Sequence, residues 1–221
     1  MVPPAQYEAW YSTPKGLLVD TLEKEVIAGL ARVKPGDRVL EIGCGTGHFS
    51  DYFTKLGAEV TALDTSPDML TFAGDKFGGR CIDFKSGDAY TLPFPDRSFD
   101  LAAMITVLEF IKSPKRAIEE AFRVSRGRVF LGILNRSSLL ACRRKKSGKQ
   151  IWQDAHFYTL KEVEEMLPGN RKITWKGAVH LPLIDSMFAY GVRLNIERLL
   201  SAIKTPGAAF IGVLAEEREG K

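Results

Sequence analysis

Apolar positions along the chain fall into short blocks whose period changes from one to the next. Leu18, Leu22, Val26 and Leu30 recur every four residues, with Glu23, Lys24 and Glu25 among them, which predicts an amphipathic helix over Leu17–Ala31. Lys34-Pro35-Gly36-Asp37 has turn chemistry. Arg38–Ile42 then reads as a short strand, Gly43–Gly47 as a glycine loop and His48–Leu56 as a helix, which Gly57 breaks before a second strand at Glu59–Asp64. The alternation continues with a helix at Met69–Phe77, strands at Ile82–Lys85 and Phe99–Thr106, a helix at Ala117–Val124 and a strand at Arg128–Leu134. Thr159 and Glu162 form a capping box that predicts a helix ending at Pro168-Gly169. Lys172–Lys176 and Ala208–Ala215 read as late strands on either side of a helical stretch at Met187–Ile203. There Val192, Ile196, Leu199 and Ile203 have the spacing of ordinary core packing. Strands alternating with helices imply an α/β fold, a parallel sheet covered on both faces.

Composition narrows the class. The chain has 221 residues, 45% of them apolar and 26% charged, with a net charge of +4, the profile of a soluble globular protein with no implied nucleic-acid partner. Cys44, Cys81 and Cys142 are odd in number and lack a CxxC pairing, so neither a disulfide framework nor a metal site is expected. No signal peptide is expected from the first residues, and no apolar run approaches the roughly 20 residues of a membrane span. Reduced thiols and these absences suggest a cytoplasmic protein. Neither a repeat nor a linker divides the chain, so one domain over 1–221 is expected.

The chemistry gathers where the strands end. Gly43-Cys44-Gly45-Thr46-Gly47 lies between a strand and a helix, at the carboxyl edge of a parallel sheet, where ligands bind. The dinucleotide fingerprint needs a third glycine where His48 stands, which disfavours a nicotinamide-dependent oxidoreductase. Asp64 ends the second strand, either to accept hydrogen bonds from ribose hydroxyls or to open a turn and cap the next helix. Asp88, in Gly87-Asp88-Ala89, is a second carboxylate at that edge, suited to an exocyclic amine or to a plain loop turn.

In combination these segments resemble the class I S-adenosylmethionine-dependent methyltransferases, in particular the UbiE-like, methyltransferase type 11 group that acts on small molecules. Leu40-Glu41-Ile42-Gly43-Cys44-Gly45-Thr46-Gly47 is similar to the first motif of that family, and Leu63-Asp64-Thr65-Ser66-Pro67-Asp68-Met69-Leu70 to its acidic second motif. Gly87-Asp88-Ala89 and Leu92–Asp100 are similar to the segments that follow. The resemblance implies a Rossmann-like three-layer sandwich whose seven-stranded, mostly parallel sheet has an antiparallel last strand. It also implies S-adenosyl-L-methionine as cofactor, S-adenosyl-L-homocysteine as product and a small-molecule methyl acceptor. Segment 1–31 is then a lid and helix, 32–135 the cofactor-binding half and 136–221 the acceptor side. By the same resemblance, Glu41 and the backbone of Gly43, Cys44, Gly45 and Gly47 border the methionine moiety, and Asp64 holds the ribose. Thr65 and Met69 flank the adenine, Asp88 and Ala89 contact its amine side, and Ile105 and Thr106 close the site. Three carboxylates suit a cofactor of net positive charge better than a pyrophosphate.

On the acceptor side the candidates are Tyr11, Glu109 and His156. Tyr7, Trp10 and Tyr11 either fold over the cofactor, with Tyr11 nearest, or pack the first helix. Glu109 follows the fourth strand, with Phe110 where the family often has histidine, and is either functional or a solvated loop residue. His156 lies on the loop before the Thr159 capping box, as a base or as an exposed side chain. His48 and His180 carry no further signal. The basic run Arg143–Lys149 reads as a solvated loop or an anion-binding segment. A non-catalytic cofactor-binding module is the alternative to an enzyme.

Overall fold

The computed structural model describes residues 2–148, 150–182, 190–203, 205 and 207–218. Pro4 and Pro14 each stand at a first helical position, where the missing N–H is no loss. They start α1 (Pro4–Tyr11) and α2 (Pro14–Ala31). Thr13 separates the two, its hydroxyl accepting the Gly16 N–H at 3.0 Å. The βα alternation follows as β1 (Arg38–Ile42), α3 (His48–Lys55), β2 (Glu59–Asp64), α4 (Pro67–Phe77), β3 (Ile82–Ser86), β4 (Leu101–Ile105), α5 (Pro114–Val124) and β5 (Arg128–Leu134). A short 3-10 turn, Leu108–Phe110, stands between β4 and α5. Then come α6 (Leu139–Lys146), α7 (Gln150–Asp154), α8 (Leu160–Met166), β6 (Arg171–Ala178), α9 (Tyr190–Ala202) and β7 (Phe210–Glu217).

The seven strands form one sheet in the order β3-β2-β1-β4-β5-β7-β6. All run parallel except β7, which is antiparallel to β5 and β6, so the last strand is the reversed one, as expected. Alternate residues feed opposite faces. Val39, Leu101, Ala103, Ile105, Phe130 and Phe210 meet Leu22, Val26 and Ile27 of α2 and Phe49 and Phe53 of α3. Leu40, Ile42, Met104, Leu131 and Ile211 meet Ile118 and Ala121 of α5 and Val163 of α8. This is the Rossmann-like sandwich. Among the described residues no helix is long and apolar enough to cross a membrane.

Three sequence expectations need correction. The basic run is not a loop up to residue 146. Ser138 caps α6 by accepting the Ala141 N–H at 3.0 Å, and Arg143 to Lys146 occupy its last turn, where cations complement the helix dipole; Lys149 lies outside the described residues. Pro4–Tyr11, read only for its aromatic residues, is helical. Finally, Val192, Ile196, Leu199 and Ile203 do not pack the core; they are exposed. The inward face of α9 carries Tyr190, Leu194, Glu197 and Ser201 instead. Glu197 takes the buried position because its carboxylate accepts the N–H groups of His180 (2.7 Å) and Leu181 (2.8 Å). The preceding part of that stretch, with Met187 and Phe188, lies outside the described residues.

Candidate functional site

The glycine loop turns at the carboxyl end of β1 with positive φ at Gly43 (76°), Gly45 (52°) and Gly47 (76°), which side-chain-bearing residues rarely adopt. Gly43 N–H and Cys44 N–H both donate to Leu63 O, tying the loop to β2. A Cβ on Gly43 would lie 2.3 Å from Val107 Cγ2, whereas one on Gly45 would meet nothing within 4 Å. One glycine is fixed by close approach and the other faces open space.

Asp64 holds that loop. Its Oδ2 accepts Gly45 N–H at 2.8 Å and its Oδ1 accepts Ser66 N–H at 2.9 Å. The helix cap proper is Ser66, which accepts Met69 N–H at 3.4 Å. Asp64 therefore opens the turn but does not cap α4. Thr65 is exposed and Met69 half-buried beside it. Asp88 is exposed and accepts Tyr90 N–H at 2.9 Å, while Ala89 is buried behind it. Glu41 is buried on the α3 side of β1 and accepts a hydrogen bond from the Ser50 hydroxyl. Burial pushes its pKa up to about 7 against the opposing Ser50 contact. Burial likewise raises the Cys44 thiol.

At the end of β4, Ile105 is buried and Thr106 has φ 51°, a strained value for a β-branched residue, fixed as its N–H donates to Gly132 O at 2.7 Å. Glu109 follows on the 3-10 turn. It is not solvated: only 1% of it is exposed. Its Oε1 accepts Leu134 N–H at 2.6 Å, its Oε2 is buried without a partner, and burial pushes its pKa up to about 7. His156 lies next to it through the backbone, its N–H donating to Glu109 O at 2.7 Å, but the imidazole is exposed and sits against the Tyr158 ring. Among the described residues no side-chain hydrogen bond, ion pair or ring contact joins Tyr11, Glu109 and His156.

The N-terminal helix is bound down by groups the sequence reading passed over. Tyr11 is buried and its ring stacks on His48 at 3.7 Å and 11°. His48 Nε2 is 2.6 Å from Asp20 Oδ1 and 3.0 Å from Lys24 Nζ, and its Nδ1 is 3.7 Å from Glu8 Oε1. Glu8 also pairs with Lys76 of α4. Burial disfavours the His48 charge, but Asp20 and Glu8 outweigh it and raise the pKa. Burial would raise Glu8 as well, yet His48 and Lys76 bring it down to about 2. Helix α1 thus spans from α2 to α4 across the start of α3. Tyr7, not Tyr11, comes within reach of Thr106 and Glu41, both tyrosines lie near Glu23, and the two hydroxyls are 3.3 Å apart. Glu23 is buried on α2, which pushes it up to about 8.

This arrangement fits the cofactor expected. Open space faces Gly45, the Thr46 hydroxyl is buried near Glu8, and Glu41 and Asp64 flank the loop between them. Among the described residues no cluster of histidine, cysteine, aspartate or glutamate is placed to hold a metal ion.

Comparison with known proteins agrees. Residues 40–131 match the family described as Methyltransferase domain. An uncharacterized protein of Methanocaldococcus jannaschii is 38% identical over 167 residues, covering 73% of this chain and 75% of its own. A demethylmenaquinone methyltransferase of Renibacterium salmoninarum is 42% identical over 95 residues, 42% of this chain but only 38% of that enzyme. The crystal structure of a methyltransferase from Thermotoga maritima superposes with a TM-score of 0.72 at 22% identity, over 97% of this chain and 95% of that one, a likeness of fold. With its glycine loop, acidic β2 terminus and reversed last strand, the chain belongs to the class I S-adenosylmethionine-dependent methyltransferases, and S-adenosylmethionine is its cofactor.

Proposed function

We propose that this protein is a cytoplasmic enzyme of one domain that methylates a small molecule, bound beneath α1 beside Glu109. One observation carries the acceptor size: α1 lies across the carboxyl edge, with Tyr11 stacked on His48 and Tyr7 reaching Thr106, which favours an enclosed acceptor over a polymer laid in a groove. Glu41, the backbone of Gly43, Cys44, Gly45 and Gly47, and Asp64 would hold the methionine and ribose parts of the cofactor. Thr65, Met69, Asp88 and Ala89 would border the adenine, and Ile105, Thr106 and Tyr11 would close the site. Bound there, S-adenosylmethionine supplies a methyl group already activated by its sulfonium. What remains for the protein is chiefly positioning, with roughly 3–3.5 Å between reacting atoms.

Glu109 is the residue best suited to take a proton from the acceptor. A carboxyl of pKa about 7 exchanges its proton near neutrality, and its free Oε2 offers a lone pair for the purpose. His156, whose ring is exposed, is better suited to the rim of the site. Calorimetric titration with S-adenosylmethionine tests the cofactor assignment. Asp64→Ala should weaken binding at least about tenfold, the effect of roughly 1.4 kcal/mol. Unchanged affinity would overturn the ribose assignment. Labelled cofactor incubated with a metabolite extract tests turnover. Label recovered in small-molecule products supports the enzyme, and binding without any labelled product would favour a non-catalytic cofactor-binding module.

A further inference from the structure

Arg144 stands apart from the rest of the basic run. Arg143, Lys145 and Lys146 lie to either side of it; Arg143 is exposed, and Lys145 is occupied by the carbonyl of Ala155. Arg144 instead turns inward. Its guanidinium stacks on Trp152 at 4.6 Å and lies within electrostatic reach of Glu23, Glu109 and Tyr7. Among the described residues it makes no ion pair and no side-chain hydrogen bond. Trp152 in turn packs on Phe157, in the small cluster with Leu134 and Ala141 that adjoins Glu109.

A half-buried guanidinium left unpaired is costly, and burial lowers its pKa despite the two carboxyls. Those carboxyls offset the burial only in part. Glu23 and Glu109 are themselves driven toward the protonated form by burial. A protonated carboxyl donates a hydrogen bond, so Glu23, the more strongly raised of the two, offers a donor beside the guanidinium near neutrality, where Glu109 exchanges its proton. The guanidinium lies over the indole and donates no side-chain hydrogen bond among the described residues, and its N–H fork matches two oxygens of a carboxylate or phosphate. The exposed cations on the same turn add a field that draws anions inward.

We infer that Arg144 is the acceptor-recognition residue, and that the methyl acceptor carries an anionic oxygen group, carboxylate or phosphate, which pairs with the guanidinium between Glu23, Glu109 and Trp152. The inference rests on the reading that the acceptor binds beside Glu109. The nucleophilic atom then lies at the Glu109 end and the anion at the Arg144 end.

Trp152 provides the readout. The S-adenosylhomocysteine complex is titrated with malonate and, separately, with inorganic phosphate, against sodium chloride at matched ionic strength, following tryptophan fluorescence. A saturable change is expected, weakened about tenfold or more in Arg144→Gln, intermediate in Arg144→Lys, kept in Arg143→Gln and lost as a signal in Trp152→Phe. The stronger of the two anions identifies the group the acceptor carries. A response no greater than with chloride, or one equal in Arg144→Gln, overturns the inference; should the glutamine variant not fold, wild-type behaviour of the lysine variant does the same. A tenfold loss of S-adenosylhomocysteine affinity in Arg144→Gln would assign the guanidinium to the cofactor and also overturn it. If the wild-type protein binds no S-adenosylhomocysteine, the methyltransfer reading itself fails; if it does and the anions are silent, only the present inference falls.

Discussion

Replacing Glu109 with glutamine should make the ligand-free protein more stable at alkaline pH and flatten its pH dependence. The buried carboxyl has a pKa of about 7, against 4.5 when unburied. Between those values the folded protein keeps a proton that the unfolded chain releases, so stability falls as pH rises through this window. The whole interval corresponds to ~3 kcal/mol, most of it lost between about pH 5 and pH 8. Glutamine cannot titrate, yet its carbonyl can still accept the Leu134 N–H that Glu109 Oε1 accepts at 2.6 Å. Glu23 and Glu41, raised by burial to about 8 and about 7, slope in the same direction but remain in both proteins. The difference between the two proteins therefore isolates Glu109. Urea unfolding at about pH 5 and pH 8 should show wild type losing ~2–3 kcal/mol more than Glu109→Gln, a relative shift of roughly 5–10 °C in Tm for a chain of this size. Parallel pH profiles would show that Glu109 is ionised in the folded protein and would remove the basis for its proposed role with the acceptor proton.

Two further outcomes follow from the loop and the N-terminal helix. Gly43→Ala should cost about 2–4 kcal/mol, through its φ of 76° and the 2.3 Å approach to Val107, and a second substitution, Val107→Ala, should recover part of that loss; strictly additive losses in a double-mutant cycle would refute the packing account. His48→Ala removes the Asp20 pair and the Tyr11 stack, so amides of α1 should exchange with solvent about tenfold faster, as for ~1–2 kcal/mol lost, with His48→Phe intermediate. Because Asp20 and Glu8 raise the His48 pKa, the same loosening should set in for wild type as pH rises through that pKa, while both carboxylates stay charged; exchange of α1 that ignores both pH and the substitution would refute it.

The strands and the glycine loop were legible because their determinants are local: alternation in Arg38–Ile42, turn residues at Gly43–Gly47 and a carboxylate ending Glu59–Asp64. The surroundings of Glu109 were not, because there the chain places charge where the apolar pattern predicts packing. Glu23 precedes Val26 by three positions and Ile27 by four, so it shares their face of α2 and is buried with them, although beside Lys24 and Glu25 it reads as part of a solvated stripe. Arg144 follows Ala141 by three, and so turns toward the small cluster of Ala141 and Trp152 while its basic neighbours hid it in a run of like charge. In α9 the same inversion runs the other way. Glu197 is drawn inward by the amides of His180 and Leu181, residues distant in sequence, and the periodic Val192, Ile196, Leu199 and Ile203 face outward. Hydrophobic periodicity finds an amphipathic face but does not say which way it points when a buried carboxylate has backbone donors to satisfy. A charge three or four positions from apolar residues on a helix face is therefore the signal worth reading. At Arg144 it marks the charged side chain that the fold brings within electrostatic reach of both Glu109 and Glu23, the latter on a helix far away in sequence.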